Sequence, residues 1–181
     1  ELLSQGRVDA ALTPVIAYQT IPDVRLVPGV CVGARGQVRS VCLVTRDIPL
    51  EDVRTVALDI SSKTSVCLTK IIFREFMGFE PEWRDAKPDV RAMLDASDCA
   101  LLIGDPALRV TAATPEPADM PMRTFDLAEL WHEQTGLGFV FAMWMTRTQA
   151  AVVDFAAVRD EGLDHIDEIA ANYAGDVGLT R

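Results

Sequence analysis

The feature that most constrains this chain is an alternation of short apolar, β-branched runs with stretches of helical periodicity. Val38 to Thr45, Val56 to Ile60, Cys99 to Ile103 and Phe139 to Thr146 each read as a strand. Val8 to Val15 and Glu82 to Arg84 read as shorter ones, and residues 24–46 hold two or three runs broken at Pro28-Gly29 and at 33–36. Between them, Val66, Ile72, Phe73 and Phe76 recur at helical spacing over 63–77, and Gly78 ends that run. Asp89 is placed to cap a helix reaching Ala96. Asp126 is placed as N-cap of another, with Glu129 at its third position as in a capping box and Gly136 at its end. Residues 149–160 and 164–173 read as amphipathic helices, and 111–122, rich in Pro, Ala and Thr, as a surface loop. Strands that alternate with helices imply an α/β fold whose sheet is largely parallel and crossed over by helices.

Charge and composition exclude several functions. The 181 residues carry a net charge of −10, which opposes long-range attraction to nucleic acid or to an acidic membrane surface. No run approaches the roughly 20 apolar residues of a membrane helix. Cys31, Cys42, Cys67 and Cys99 form no CxxC pair and sit in apolar runs, so they read as small buried hydrophobes of a reducing cytosol. The two histidines, His132 and His165, fall on amphipathic helices away from strand ends, which leaves no histidine triad and no zinc set. The glycines at 33–36 lack phosphate-loop or dinucleotide spacing. No metal or organic cofactor is expected. The opening Glu-Leu-Leu-Ser-Gln-Gly reads as the end of a helix capped by Gly6, so a preceding segment is expected.

Three segments carry candidate chemistry. In Asp59-Ile60-Ser61-Ser62-Lys63-Thr64-Ser65 a strand ends and hydroxyl residues fill a helix start. The first amides of a helix lack internal partners and the dipole there is positive, so such a turn either binds an anion or is simply capped. In Ile103-Gly104-Asp105-Pro106 a buried strand runs into residues that suit either close approach to a ligand or an ordinary turn. In Gln37-Val38-Arg39-Ser40-Val41, read as strand, Arg39 and Ser40 face opposite sides, so that either one of them meets a pocket, with Arg39 suited to fork a carboxylate, or the arginine simply faces solvent.

Four segments in order resemble a known family: Val27-Pro28-Gly29-Val30-Cys31, Gly36-Gln37-Val38-Arg39-Ser40-Val41, Leu58-Asp59-Ile60-Ser61-Ser62-Lys63-Thr64-Ser65 and Leu102-Ile103-Gly104-Asp105-Pro106-Ala107-Leu108. Phe125-Asp126-Leu127 with Trp131, Thr135-Gly136-Leu137 and Phe139-Val140-Phe141-Ala142 follow. Together, across nearly the whole chain, they resemble chorismate dehydratase of the futalosine route to menaquinone. That resemblance implies a two-lobed, type II periplasmic-binding-protein-like fold, with mixed, mostly parallel sheets, flanking helices and a ligand held in the cleft. It implies crossovers near 45–52 and 138–145, so that residues 1–48 and 141–181 form one lobe and 49–140 the other. The family begins with a strand carrying a Ser-Tyr-Leu-Asn-like segment that has no counterpart here, and it has final helices beyond residue 181. Part of the site is therefore expected outside these residues.

The resemblance also implies a reaction. Chorismate loses water, as a ring proton and the neighbouring hydroxyl, to give 3-[(1-carboxyvinyl)oxy]benzoate. Ser62, Thr64 and Ser65 would hold one carboxylate. Ser40, Ile103 and Gly104 would meet the ring hydroxyl or the second carboxylate. Asp105 would accept a hydrogen bond, or take part in proton transfer if burial raised its pKa. The expected partner is the small molecule alone, with the protein a cytoplasmic monomer or homodimer. Two other readings share the fold: a non-catalytic solute-binding protein for a small carboxylate, and the later futalosine-pathway enzyme.

Overall fold

The computed structural model describes residues 2–112, 121–147 and 153–177. In chain order the strands are β1 (Ala10–Pro14), β2 (Arg25–Ala34), β3 (Val41–Thr45), β4 (Thr55–Asp59), β5 (Glu82–Ala86), β6 (Cys99–Ile103), β7 (Arg123–Asp126) and β8 (Phe139–Thr146). The helices are α1 (Thr64–Ile71), α2 (Val90–Ala96), α3 (Gly104–Ala112), α4 (Leu127–Thr135), α5 (Phe155–Asp164) and α6 (Ile166–Val177). A π-helical turn, Ile72–Phe76, continues α1, and Gly78 follows at φ 76°.

The chain divides into two compact units, Glu1–Gly33 with Val140–Arg181, and Ala34–Phe139. The first crossing falls at 33/34 rather than at 48/49. The reason is β3, which pairs with β6 and β7 and so belongs to the second unit. The first unit is built on a three-stranded sheet, β1-β8-β2, in which β1 and β8 run antiparallel with Ala10 opposite Thr146. Leu3, Ile21, Val24 and Met145 are buried together there.

The second unit is built on a five-stranded sheet in the order β5-β4-β6-β3-β7. Parallel pairing is confined to β5-β4-β6, while β3 runs antiparallel to both β6 and β7. β3 enters at the edge where its neighbours finish, so it must run against them. Every residue of β3 is buried, as expected of a central strand covered on both faces. On one face Cys42, Val44, Ala100 and Leu102 pack with Met93 and Leu94 of α2 and Ala107 of α3. Leu43 and Leu101 alternate to the other face, which α1 and α4 cover and where Leu68, Phe73 and Leu127 are fully buried. Phe73 meets the rings of Phe79 and Trp83 edge-on at 5.4 and 5.8 Å.

Several elements differ from the sequence expectation. Residues 104–112, read as a turn running into a loop, form α3; Gly-Asp-Pro opens a helix here, with Pro106 in a first turn that needs no amide from it. The rest of the expected loop up to residue 120 lies outside the described residues. β7 was not foreseen, because a four-residue edge strand, Arg-Thr-Phe-Asp, carries no apolar run. The helix expected over 149–160 occupies Phe155–Asp164, and residues 148–152 lie outside the described residues. Residues 2–6, by contrast, close as the helix-end turn expected: the Gly6 amide donates to Leu3 O at 3.1 Å and the Arg7 amide to Leu2 O at 3.0 Å, around Gly6 at φ 67°. No helix among the described residues is long and apolar enough to cross a membrane.

Cys42 and Cys99 are buried as expected, but Cys67 is only partly covered and Cys31 is exposed, facing outward beside buried Val30. Burial, reinforced by the Asp126 carboxylate, pushes the Cys42 thiol up to about 12, and burial raises Cys99 as well. Both stay neutral thiols in the folded chain, while in the unfolded chain they ionise near their ordinary value. Their contribution to stability is therefore full below about pH 8.5 and is lost as pH rises towards the folded values. A thiol-specific chromophoric disulfide reagent at pH 8 is expected to label Cys31 at once and Cys67 more slowly. Labelling of Cys42 and Cys99 should require denaturant.

Candidate functional site

The strand registers bring the three candidate segments to one place. β4 and β5 finish together, with Asp59 opposite Ala86. β6 finishes at Ile103 opposite the start of β3, Val41, and β7 finishes at Asp126 opposite Cys42. Ser40, the 59–65 turn and Ile103-Gly104-Asp105 thus share one edge of the larger sheet. α1, α2, α3 and α4 all begin just past that edge. Their unpaired first amides and dipoles bring partial positive charge to it. Ligands of open α/β sheets bind at such carboxyl edges.

Within the 59–65 turn the hydroxyls divide their work. Ser61 donates to Asp59 Oδ1 from both its amide, at 2.9 Å, and its hydroxyl, at 2.6 Å. Ser62 Oγ accepts from the Ser65 amide at 3.2 Å and so caps the helix, and the first intrahelical bond runs from Cys67 N–H to Lys63 O at 3.2 Å. Ser62 is half-buried, whereas Thr64 and Ser65 are 5% and 4% exposed and lie beneath the turn rather than on it. The expected trio of open hydroxyls therefore reduces to Ser62, with the helix amides beside it. Thr64 Oγ1 and Asp59 Oδ2 are buried without a hydrogen-bond partner among the described residues. A buried orphan of this kind costs about 1–3 kcal/mol unless water or a ligand satisfies it.

Gly104 stands at φ 63° and donates its amide to Ser40 O at 2.7 Å. Its open surroundings would accept a Cβ, so glycine is needed here for the backbone angle and not for close approach. Ile103 is half-buried. Asp105 is exposed in the first turn of α3, so the burial that would fit it for proton transfer is absent.

Residues 38–40 are a tight turn rather than strand. The Ser40 amide donates to Val38 O at 2.7 Å around Arg39 at φ 61°. A three-residue turn centred on a positive φ is rare and strained, and for an arginine the cost is about 1–2 kcal/mol. Ser40 and Arg39 consequently do not alternate across a strand. Ser40 is half-buried and Arg39 exposed.

Asp126 serves two elements at once. Asp126 caps α4 as expected, with Oδ1 accepting from Ala128 and Glu129 amides at 2.9 and 3.1 Å. Its Oδ2 also accepts from the amides of Val38 at 2.9 Å and Arg39 at 2.6 Å. Glu129 does not close a capping box; Gln37 Nε2 donates to it at 2.9 Å. The capping signal was legible in sequence, but the 87-residue reach to the turn was not. His132 and His165 are exposed, and each ring meets a nearby backbone carbonyl. Among the described residues no group of three or more His, Cys, Asp or Glu could hold a metal. A groove of about 550 Å³ in this unit opens at the far end of α1, against Phe76, Met77 and Leu130, and touches no candidate residue.

Residues 1–179 match the family model described as menaquinone biosynthesis. The chain is 34% identical to the chorismate dehydratase of Thermus thermophilus over 194 aligned residues, covering 98% of this chain and 70% of that protein. Among solved structures, protein AF1704 of Archaeoglobus fulgidus superposes with a TM-score of 0.61 at 19% identity, covering 97% of this chain and 63% of that one. YhfZ of Shigella flexneri gives 0.59 at 15% identity, covering 92% and 72%. An OxyR mutant of Corynebacterium glutamicum gives 0.57 at 14%, covering 99% and 55%. These structural likenesses concern the fold, an α/β fold of the type II periplasmic-binding-protein kind with sheets and flanking helices.

Proposed function

Since the chain belongs to the menaquinone biosynthesis family, we propose that it serves as a chorismate dehydratase, a hydro-lyase acting in the cytoplasm. The reading is carried by one observation: the Ser62 turn, the Ser40 turn and Gly104 meet on a sheet edge from which four helices start. Chorismate carries two carboxylates, and a cluster of helix starts can receive them on an otherwise acidic chain. The likeness to the Thermus dehydratase supports the same substrate.

In this proposal Ser62 and the first amides of α1 take one carboxylate. Ser40 and the backbone at Ile103-Gly104 take the second carboxylate or the ring hydroxyl. The reaction breaks a ring C–H and the neighbouring C–O bond. The C–H electrons complete the aromatic ring, the hydroxyl leaves, and proton and hydroxide depart as water. Aromaticity drives the step, so the protein chiefly positions its substrate. Thr64 and Ser65 support the turn from beneath. A substrate carboxylate assists removal of the proton, and Asp105, exposed beside Gly104, accepts a hydrogen bond.

Incubation with chorismate is expected to produce the ultraviolet absorption of an aromatic product. Binding without any absorbance change would favour a non-catalytic binding protein of the same fold. Asp105→Asn is expected to lower kcat by less than about tenfold. A loss of about 10³-fold or more with unchanged substrate binding would instead make Asp105 the general base.

A further inference from the structure

We propose that Asp126 is a positioning residue of this edge: its carboxylate holds the strained 38–40 turn that presents Ser40 to the anionic ligand. This rests on the reading of the edge as the substrate site. Arg39 occupies a left-handed conformation that its side chain disfavours, inside a hydrogen-bonded turn of three residues. Such a conformation persists only where its surroundings over-determine it, and strained positions of this kind gather at functional sites.

Here the surroundings are identifiable. Asp126 Oδ2 accepts the amides of Val38 and Arg39, Gln37 is bonded to Glu129, and Ser40 O accepts the Gly104 amide. The turn is thereby tied to the first turns of both α3 and α4. The two bonds at Oδ1 account for the capping of α4. Those at Oδ2 contribute nothing to the helix, so capping alone does not explain them. Asp89 provides the contrast. Its Oδ1 caps α2 through the amides of Arg91 and Ala92, each at 3.1 Å, in the same manner. Among the described residues no amide outside α2 donates to its carboxylate.

The test is Asp126→Asn beside Asp89→Asn. In either variant the amide oxygen can keep the cap. At position 126 the amide nitrogen, a donor, would then face two backbone donors, so only the turn is released. Asp89→Asn is expected to lose little thermal stability, and Asp126→Asn more, because the Val38 and Arg39 amides lose their acceptor. Only Asp126→Asn should raise the KM for chorismate, by roughly tenfold or more, with kcat changed less. It should also speed amide hydrogen exchange at Val38 and Arg39. Unchanged exchange at those two amides would overturn the claim that Asp126 holds the turn. Faster exchange with an unchanged KM would overturn the link between the turn and the ligand while leaving the dehydratase reading intact. Absence of turnover and of chorismate binding in the parent protein would instead remove the site reading, and this inference with it.

Discussion

Ser62→Asp is expected to make the protein slightly more stable and nearly unable to bind its substrate. Ser62 Oγ already accepts the Ser65 amide at the start of α1. An aspartate there keeps that bond and adds a negative charge to a positive helix end, worth about 0.3–1 kcal/mol. The melting temperature should rise by about 1–3 °C. The same charge would stand where the proposal places a substrate carboxylate. Two like charges about 4 Å apart at an effective dielectric constant near 20 repel by about 4 kcal/mol, or roughly three orders of magnitude in KM. Ser62→Asn caps equally well without the charge and should change KM by less than about tenfold. Opposite movements of stability and affinity distinguish a ligand carboxylate at this turn from simple damage. A Ser62→Asp protein with the parent's KM would place the carboxylate elsewhere.

Phe73→Ala is expected to have the largest effect on stability. Phe73 lies wholly buried in the π-helical turn after α1 and meets Phe79 and Trp83 edge-on. Truncating a buried phenylalanine costs about 3–5 kcal/mol from lost transfer energy and the cavity left behind. That is a large share of a stability usually about 5–15 kcal/mol. In urea the midpoint should fall with little change in slope, and Trp83 fluorescence should report it. Leu137→Ala, on a residue 61% exposed, should leave the midpoint within about 0.5 kcal/mol of the parent. A loss below about 1 kcal/mol for Phe73→Ala would show that the site can collapse around the missing ring.

The limits of sequence reading follow from the range of the interactions involved. β6 and β8 were legible to the residue, because their apolar runs end at glycine or polar residues. The caps at Asp89, Asp126 and Gly136 were equally plain, since a cap involves groups only two to four residues away. By the same local logic α3 was missed: Gly-Asp-Pro suits a turn and a helix start alike. β7 was missed because its pairing with β3 comes from a segment about 80 residues earlier.

The residues of the candidate edge were likewise readable as types, and their burial was not. Hydroxyls at 61–65 announce a capped helix start, yet only packing decides that Thr64 and Ser65 lie beneath it while Ser62 stays half-buried. By itself, then, the sequence determined an alternating α/β chain with acidic character, named helix starts and a family resemblance. Those properties rest on neighbours within a few positions or on overall composition. Tertiary structure alone decided that β3 joins the larger sheet antiparallel, that four helix starts share one edge, and that Asp126 reaches back to Arg39. Each of these is a contact between residues dozens of positions apart. Backbone hydrogen bonding and core burial select such contacts jointly over the whole fold, and no local pattern encodes them.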